Sequence, residues 1–270
     1  MSNKRVEAII DLGAILHNYN YIKSSLCQST KLLAVVKADA YGHGAIEVCR
    51  MLEQNGAAEF AVACVDEAVA LREGGVKGNI LILGITDESY ASTLEEFNLT
   101  QTVDSYEYAL SLSRLAKINV HVKIDTGMSR LGIYCHNSAD VNSAANEIEK
   151  ISLLNNIKIK GIFTHFAESD NRNSSFTKEQ FECFNSLLSV LENRNVNVGI
   201  RHCCNSAAII NYPEMQLDMV RAGIILYGLF PSAETVDTNL LPAMKLVSRI
   251  SSVSDIYEND TVSYGRSYRP

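Results

Sequence analysis

Lys37, Tyr41 and His43 stand within one short stretch, AVVKADAYGHGA, that runs from Ala34 to Ala45. An apolar run from Leu32 to Val36 reads as a buried strand, and it stops abruptly at Lys37. An ammonium at the mouth of such a strand is poorly solvated. That favours the neutral amine, the nucleophile a Schiff-base lysine needs. A lone lysine more often just leaves a strand end for solvent, but its surroundings weigh the other way. Tyr41 offers a hydroxyl nearby, glycines flank His43, and no charged residue follows before Glu47. Asp39, Gly42 and Gly44 mark the stretch after the strand as a loop.

Arg130, His165, Asn205, Ser206 and Arg221 also fall just past the C-terminal ends of apolar runs. Taken singly, each has a plainer reading. Ser206 could be a helix N-cap, Gly223 a turn glycine, His165 a packed core histidine, and Lys123 a solvated or paired lysine. His202, Cys203 and Cys204 are adjacent on a strand pattern and so point to alternate faces, which makes them structural rather than a ligand cluster.

Positioning these residues takes a repeating frame. Val6–Ile10 reads as a short strand and Asp11 as the N-cap of a helix with apolar positions Leu12, Ile15, Leu16, Tyr19, Ile22 and Leu26. From Leu32 onward, strand patterns at 32–37, 60–65, 80–85, 99–103, 118–124, 157–165, 200–204 and 217–221 alternate with helical ones. Asp66 is expected to cap a helix over 67–73 and Ser105 one over 106–117. Thr177 with Gln180 makes a capping box ahead of the stripe Phe181, Phe184, Leu187, Leu188 and Leu191. Alternation of this kind predicts an α/β fold with a parallel sheet, and eight strands in this length suggest a (β/α)8 TIM barrel. An open doubly wound sheet gives a similar string. The barrel places function just past the C-terminal strand ends, where Lys37, Arg130, His165, Asn205, Ser206 and Arg221 lie.

After Gly228 the texture changes. Residues 244–253 and 254–262 read as strands with a turn near 258–260, and no helical pattern follows. The predicted organisation is a barrel over 1–232 and the start of an all-β domain over 233–270.

Of the 270 residues 47% are hydrophobic, enough for a full core. Net charge is -7 with no dense Lys/Arg run, which makes nucleic acid and anionic membrane poor partners. No stretch is long enough to span a bilayer and no signal-type segment follows Met1–Arg5. Seven cysteines without C-x-x-C or a disulfide layout suggest reduced thiols and a cytoplasmic protein, and the six histidines show no metal-ligand spacing.

AVVKADAYGHGA resembles the cofactor-lysine motif of the alanine racemase family. The likeness continues in register through DEAVALREGG, LILGI, VKIDTGMSRLGI, GIFTHFAESD, HCCNSAAIINYPEMQLDMVRAGIILYGLFPS and VSYGRS, across essentially the whole chain. It implies a fold-type III pyridoxal 5'-phosphate (PLP) enzyme, a barrel followed by a β domain, working as a homodimer. The implied activity is interconversion of L- and D-alanine, a small amino-acid substrate, for cell-wall precursor supply. A serine racemase of the same family and a non-catalytic PLP-binding barrel are the other readings.

Site roles follow from the resemblance, position by position. Lys37 would hold the cofactor aldehyde covalently and then act as acid and base on one face of Cα. Tyr41, Ser206 and the backbone amides of Gly223 and Ile224 would hold the phosphate, with Asn205 beside them. Arg221 would face the pyridine nitrogen, supported by His165. Arg130 would approach the cofactor's phenolic oxygen and the substrate carboxylate. Lys123 matches a position where some members carry a carbamylated lysine. The second base of the family is a tyrosine in a G-Y-A-D-type segment of the partner subunit's β domain. Tyr257, Tyr264 and Tyr268 do not match that motif, so the resemblance implies a chain shortened within the β domain, with little or no activity of its own.

Overall fold

The structure, a computed structural model, describes residues 5–269. Two compact units are present: residues 11–243, and the described residues of 1–10 together with 244–269. In the larger unit eight parallel strands close into a ring. They are β1 (Lys31–Val35), β2 (Glu59–Val62), β3 (Asn79–Ile82), β4 (Thr100–Val103), β5 (Ile118–Asp125), β6 (Ile157–Phe163), β7 (Ile200–His202) and β8 (Met219–Ala222). Each pairs with the next, and β8 returns to β1 with Met219 opposite Lys31 and Ala222 opposite Ala34. The expected TIM barrel is therefore the fold. After β1 through β7 come, in turn, helices Ala45–Gln54, Val65–Glu73, Ala91–Glu96, Tyr106–Leu115, Val141–Ser152, Ser175–Asn193 and Ser206–Asn211.

The strands read as near-continuous apolar runs because helices cover one face and the barrel interior the other. Each helix buries one stripe against them. Val141–Ser152, for example, buries Val141, Ala144, Ala145, Ile148 and Ile151 at helical spacing. Inside the ring, Leu33, Val35, Ala61, Leu81 and Met219 form an apolar cluster with Tyr41 packed against it. Polar side chains fill the rest of the interior near the C-terminal strand ends.

Several expected boundaries shift. Asp11 does cap its helix, accepting from Ala14 N at 3.0 Å, and Ser105 caps Tyr106–Leu115. Asp66 does not cap, because Val65–Glu73 begins after Cys64 and Asp66 falls in its first turn, where a carboxylate favours the helix dipole. The capping box at Thr177 and Gln180 is not formed. Ser174 is the cap, accepting from Thr177 N at 3.0 Å, and Gln180 turns inward instead. The larger unit runs from Asp11 to Ala243. Asn18 on helix Leu12–Ser24 is buried and binds Leu226 O and Leu241 O through Nδ2, and Leu241 N through Oδ1. In the smaller unit Val6–Ile10 pairs antiparallel with Met244–Ser248. The expected strand over 254–262 is absent: the described residues there hold the turn Tyr257–Asp260 and one isolated bridge, Val262 to Tyr268. Alternation selects a face, but a strand forms only against a partner edge.

Candidate active site

β1 delivers the lysine into an unusual piece of backbone. Ala38, Asp39, Ala40 and Tyr41 all have φ between 51° and 55° and ψ between 36° and 51°, one turn of left-handed helix rather than the expected loop. Each L-residue there is disfavoured by roughly 1–2 kcal/mol, so the surroundings must impose the turn. Glu67 does much of this. Its carboxylate accepts from Ala38 N and from Ala63 N, both at 2.7 Å. Asp39 accepts from Ala45 N at 2.7 Å, and His43 Nδ1 donates to Ala40 O at 2.9 Å while its ring lies 4.5 Å from that of Tyr227. Lys37 is half-buried rather than fully desolvated, with Nζ 5.9 Å from the Tyr41 ring centre.

Across the barrel mouth, Arg130 rides on a loop that leaves β5 and returns as the two-residue strand Ile133–Tyr134 alongside it. Asp125 Oδ1 pins this loop by accepting from Gly127 N and Ser129 N, each at 3.0 Å. Gly132 closes it at φ +124°, where a Cβ would lie 2.6 Å from Asp125 N. Lys123 is neither solvated nor paired with a carboxylate. It is buried, donates to Ile124 O at 2.6 Å, and has its pKa brought down to about 7 by burial, with Arg221 adding to the effect.

Arg221, at the end of β8, is buried and donates to Thr164 O and Cys203 O at 2.9 Å through Nη2. The same Nη2 lies 3.2 Å from His165 Nδ1, and Nη1 lies 2.9 Å from His202 Nδ1. Every one of these acceptors is neutral. Burial lowers the guanidinium pKa only to about 10, so it stays charged at pH 7. His202 holds Arg221 from inside the barrel, stacked on Phe163 at 4.8 Å. In turn His202 Nε2 lies 2.9 Å from His121 Nδ1. Gln180 braces the region, with Oε1 accepting from Ala167 N and Nε2 reaching Thr126 Oγ1 and His165 O.

Burial, reinforced by Arg221, holds His121 (at about 3), His165 and His202 well below the ordinary imidazole value. The unfolded chain protonates these rings near pH 6.5, while the folded barrel refuses the protons. Their contribution is therefore intact above about pH 6.5 and is lost as pH falls, by up to roughly 4 kcal/mol per pH unit for the three together. Urea midpoints measured from pH 7.5 to 5.5 should drop steeply. A flat midpoint over that range would contradict the buried neutral imidazoles.

The third part of the site follows β7 and β8. Ser206 Oγ accepts from Gly223 N at 2.9 Å, and a Cβ built on Gly223 would lie 3.0 Å from Tyr41 Oη and 3.4 Å from Ser206 Oγ. Two hydroxyls and a backbone amide thus surround a space that only glycine leaves open. Asn205, not Ser206, is the N-cap of Ser206–Asn211. Its Oδ1 accepts from Ala208 N and Ser169 Oγ, which commits that oxygen to holding the loop.

Lys37, Tyr41, Lys123, Arg130, His165, Asn205, Ser206, Arg221, Gly223 and Ile224 all line one cavity of about 490 Å³. That volume falls within the usual range for small-ligand sites. The sequence brought these residues to one place but missed His121, His202, Gln180 and Glu67. The chemistry on offer is an amine beside a hydroxyl-and-amide cradle for an anion, facing a cluster of cations. No helix among the described residues is long and apolar enough to cross a membrane.

Residues 10–231 match the family described as alanine racemase, N-terminal domain. The chain is 41% identical to the alanine racemase of Clostridium tetani, over 98% of this chain and 68% of that protein. It is 42% identical to the alanine racemase of Methanococcus maripaludis, over 98% and 72%. The structure resembles the solved alanine racemase of Clostridium difficile 630 with a TM-score of 0.90 at 36% identity, covering 100% of this chain and 71% of that one. Motif, fold and sequence agree over nearly the whole chain, which belongs to the alanine racemase family.

Proposed function

We propose that the cavity binds pyridoxal 5'-phosphate through Lys37 and racemises alanine. The observation that carries this reading is the convergence of Lys37, the Tyr41–Ser206–Gly223 cradle and Arg221 on one cavity. The residues present fit the cofactor: the space a Cβ would fill at Gly223 is bounded by two hydroxyls suited to a phosphate. When bound, PLP supplies an aldehyde for the amine and a ring that withdraws electrons from Cα.

The chain's own residues would do the rest. Lys37 Nζ would hold the cofactor and would take or return the Cα proton on its own face. Tyr41, Ser206 and the amides of Gly223 and Ile224 hold the phosphate. Arg221 would donate to the pyridine nitrogen without giving up its proton, which would limit electron withdrawal and restrain side reactions. His165 and His202 hold Arg221 in place, Arg130 would take the substrate carboxylate, and Lys123 lines the same cavity. A homodimer, with the opposite-face base from the partner subunit's β domain, completes the reading, and D-alanine for cell-wall precursors is its product.

Residues 1–270 on their own, loaded with PLP, should therefore handle one face of Cα only. Incubated with each alanine enantiomer in heavy water, this polypeptide is expected to exchange the Cα proton slowly and with retention. Racemisation should be lower by at least the hundred- to ten-thousand-fold typical of one lost acid–base group. Efficient conversion of L- to D-alanine by this polypeptide would show that another of its residues serves the second face.

A further inference from the structure

His121 does not line the cavity, yet it is tied through His202 to Arg221, which does. An arginine only donates, so Arg221 Nη1 at 2.9 Å requires His202 Nδ1 to be bare. The neutral His202 ring then carries its hydrogen on Nε2, which lies 2.9 Å from His121 Nδ1. His121 Nδ1 must accept that hydrogen, and His121 keeps its own on Nε2. These tautomers follow from counting donors and acceptors along the chain Arg221–His202–His121. Removing the acceptor at His121 would strand a buried N–H. The only relief within the ring is to move the hydrogen to Nδ1, where it would face an N–H of Arg221.

We propose that His121 is a positioning residue: by accepting from His202 it fixes the tautomer and ring orientation through which His202 holds the Arg221 guanidinium in the cavity. The barrel is built to admit this contact. His121 on β5 sits in register with Gly161 on β6. A Cβ at Gly161 would fall 2.6 Å from His121 Cε1 and 2.8 Å from both ring nitrogens. Absence of that side chain gives the imidazole its path across β6 to His202. Phe163 supports the far end, stacked on His202 and 5.3 Å from the Arg221 guanidinium. The consequence for ligand binding rests on the reading of the cavity as a PLP site, whereas the hydrogen-bond chain does not.

The test has two arms. In the first, 15N-histidine-labelled protein is examined by NMR without added PLP at pH 7. His202 and His121 should both be Nε2–H tautomers, joined by a scalar coupling across the hydrogen bond from His202 Nε2 to His121 Nδ1. A His202 in the Nδ1–H form, or no coupling, overturns the proposal. In the second arm PLP affinity is measured for His121→Asn, which keeps an acceptor at the Nδ1 position, and for His121→Phe and Gly161→Ala, which remove or displace it. The PLP dissociation constant should rise about tenfold in the latter two and stay within about twofold of wild type in His121→Asn, with His202 resonances following the same division. Equal weakening in His121→Asn and His121→Phe would assign the effect to ring bulk and overturn the proposal. If His121→Phe does not fold, the wild-type coupling and the other two variants decide. Failure of wild type to bind PLP would sink the cofactor reading and leave the first arm to stand by itself.

Discussion

Replacing Lys37 by alanine should abolish covalent capture of PLP altogether. Wild-type protein mixed with the cofactor should develop near-visible absorbance, and borohydride should fix the label on a single peptide containing Lys37. The competing candidate is Lys123, in the same cavity, whose pKa of about 7 makes a sizeable fraction of it a neutral nucleophile at physiological pH. One feature disfavours it: its side chain is buried and tied to Ile124 O at 2.6 Å. Lys37 is half-exposed to the cavity, immediately before the left-handed turn that carries Tyr41. Lys37→Ala should therefore lose both label and racemase activity in a chain that carries the whole β domain, by well over the hundred- to ten-thousand-fold due to the base alone. Lys123→Ala should keep the label. Labelling that survives Lys37→Ala and disappears in Lys123→Ala would reverse the assignment.

The second large effect is at Arg221. Arg221→Glu puts a group that can share a proton where the guanidinium now withholds one. In a chain with the whole β domain, substrate should then raise a new long-wavelength absorption band, and side reactions such as transamination should increase. Arg221→Gln is the control, since it removes the cation without supplying a proton, and it should not raise the band. Both variants leave Thr164 O, Cys203 O and His202 Nδ1 without their donor. Stranding buried acceptors costs roughly 1–3 kcal/mol each, so both should unfold at lower urea concentration than wild type. Unchanged spectra and product ratios in Arg221→Glu, with stability lost, would reduce Arg221 to a structural arginine.

What was legible in the sequence is what depends on local pattern. Strand positions followed from apolar runs such as Leu32–Val36, and the alignment of Lys37, Arg130, His165 and Arg221 at strand ends followed from the barrel rule. Contacts between distant strands were not legible. His202 was set aside because alternation along one strand says nothing about Gly161 on its neighbour, which clears the way from His202 to His121. Gln180 looked like a capping residue because spacing alone cannot tell a side chain that reaches back to its own helix from one that reaches Ala167 N. The handedness of Ala38–Tyr41 had no local signal at all, since alanine and tyrosine favour the opposite hand. Only Gly42 and Gly44 hinted at positive φ nearby.

That turn has a consequence for the order in which the molecule assembles. Alone, residues 38–41 favour right-handed or extended conformers by several kcal/mol over the left-handed turn. The groups that reverse this preference come from elsewhere in the chain: Glu67 from the helix after β2, and Tyr227, which packs on His43 and donates to Val35 O, from beyond β8. The turn that follows Lys37 is therefore expected to be set only when Tyr227, from beyond the last strand, reaches the first. Ring closure and ordering of the Ala38–Tyr41 turn should therefore go together, so that a half-made barrel holds no organised cavity mouth.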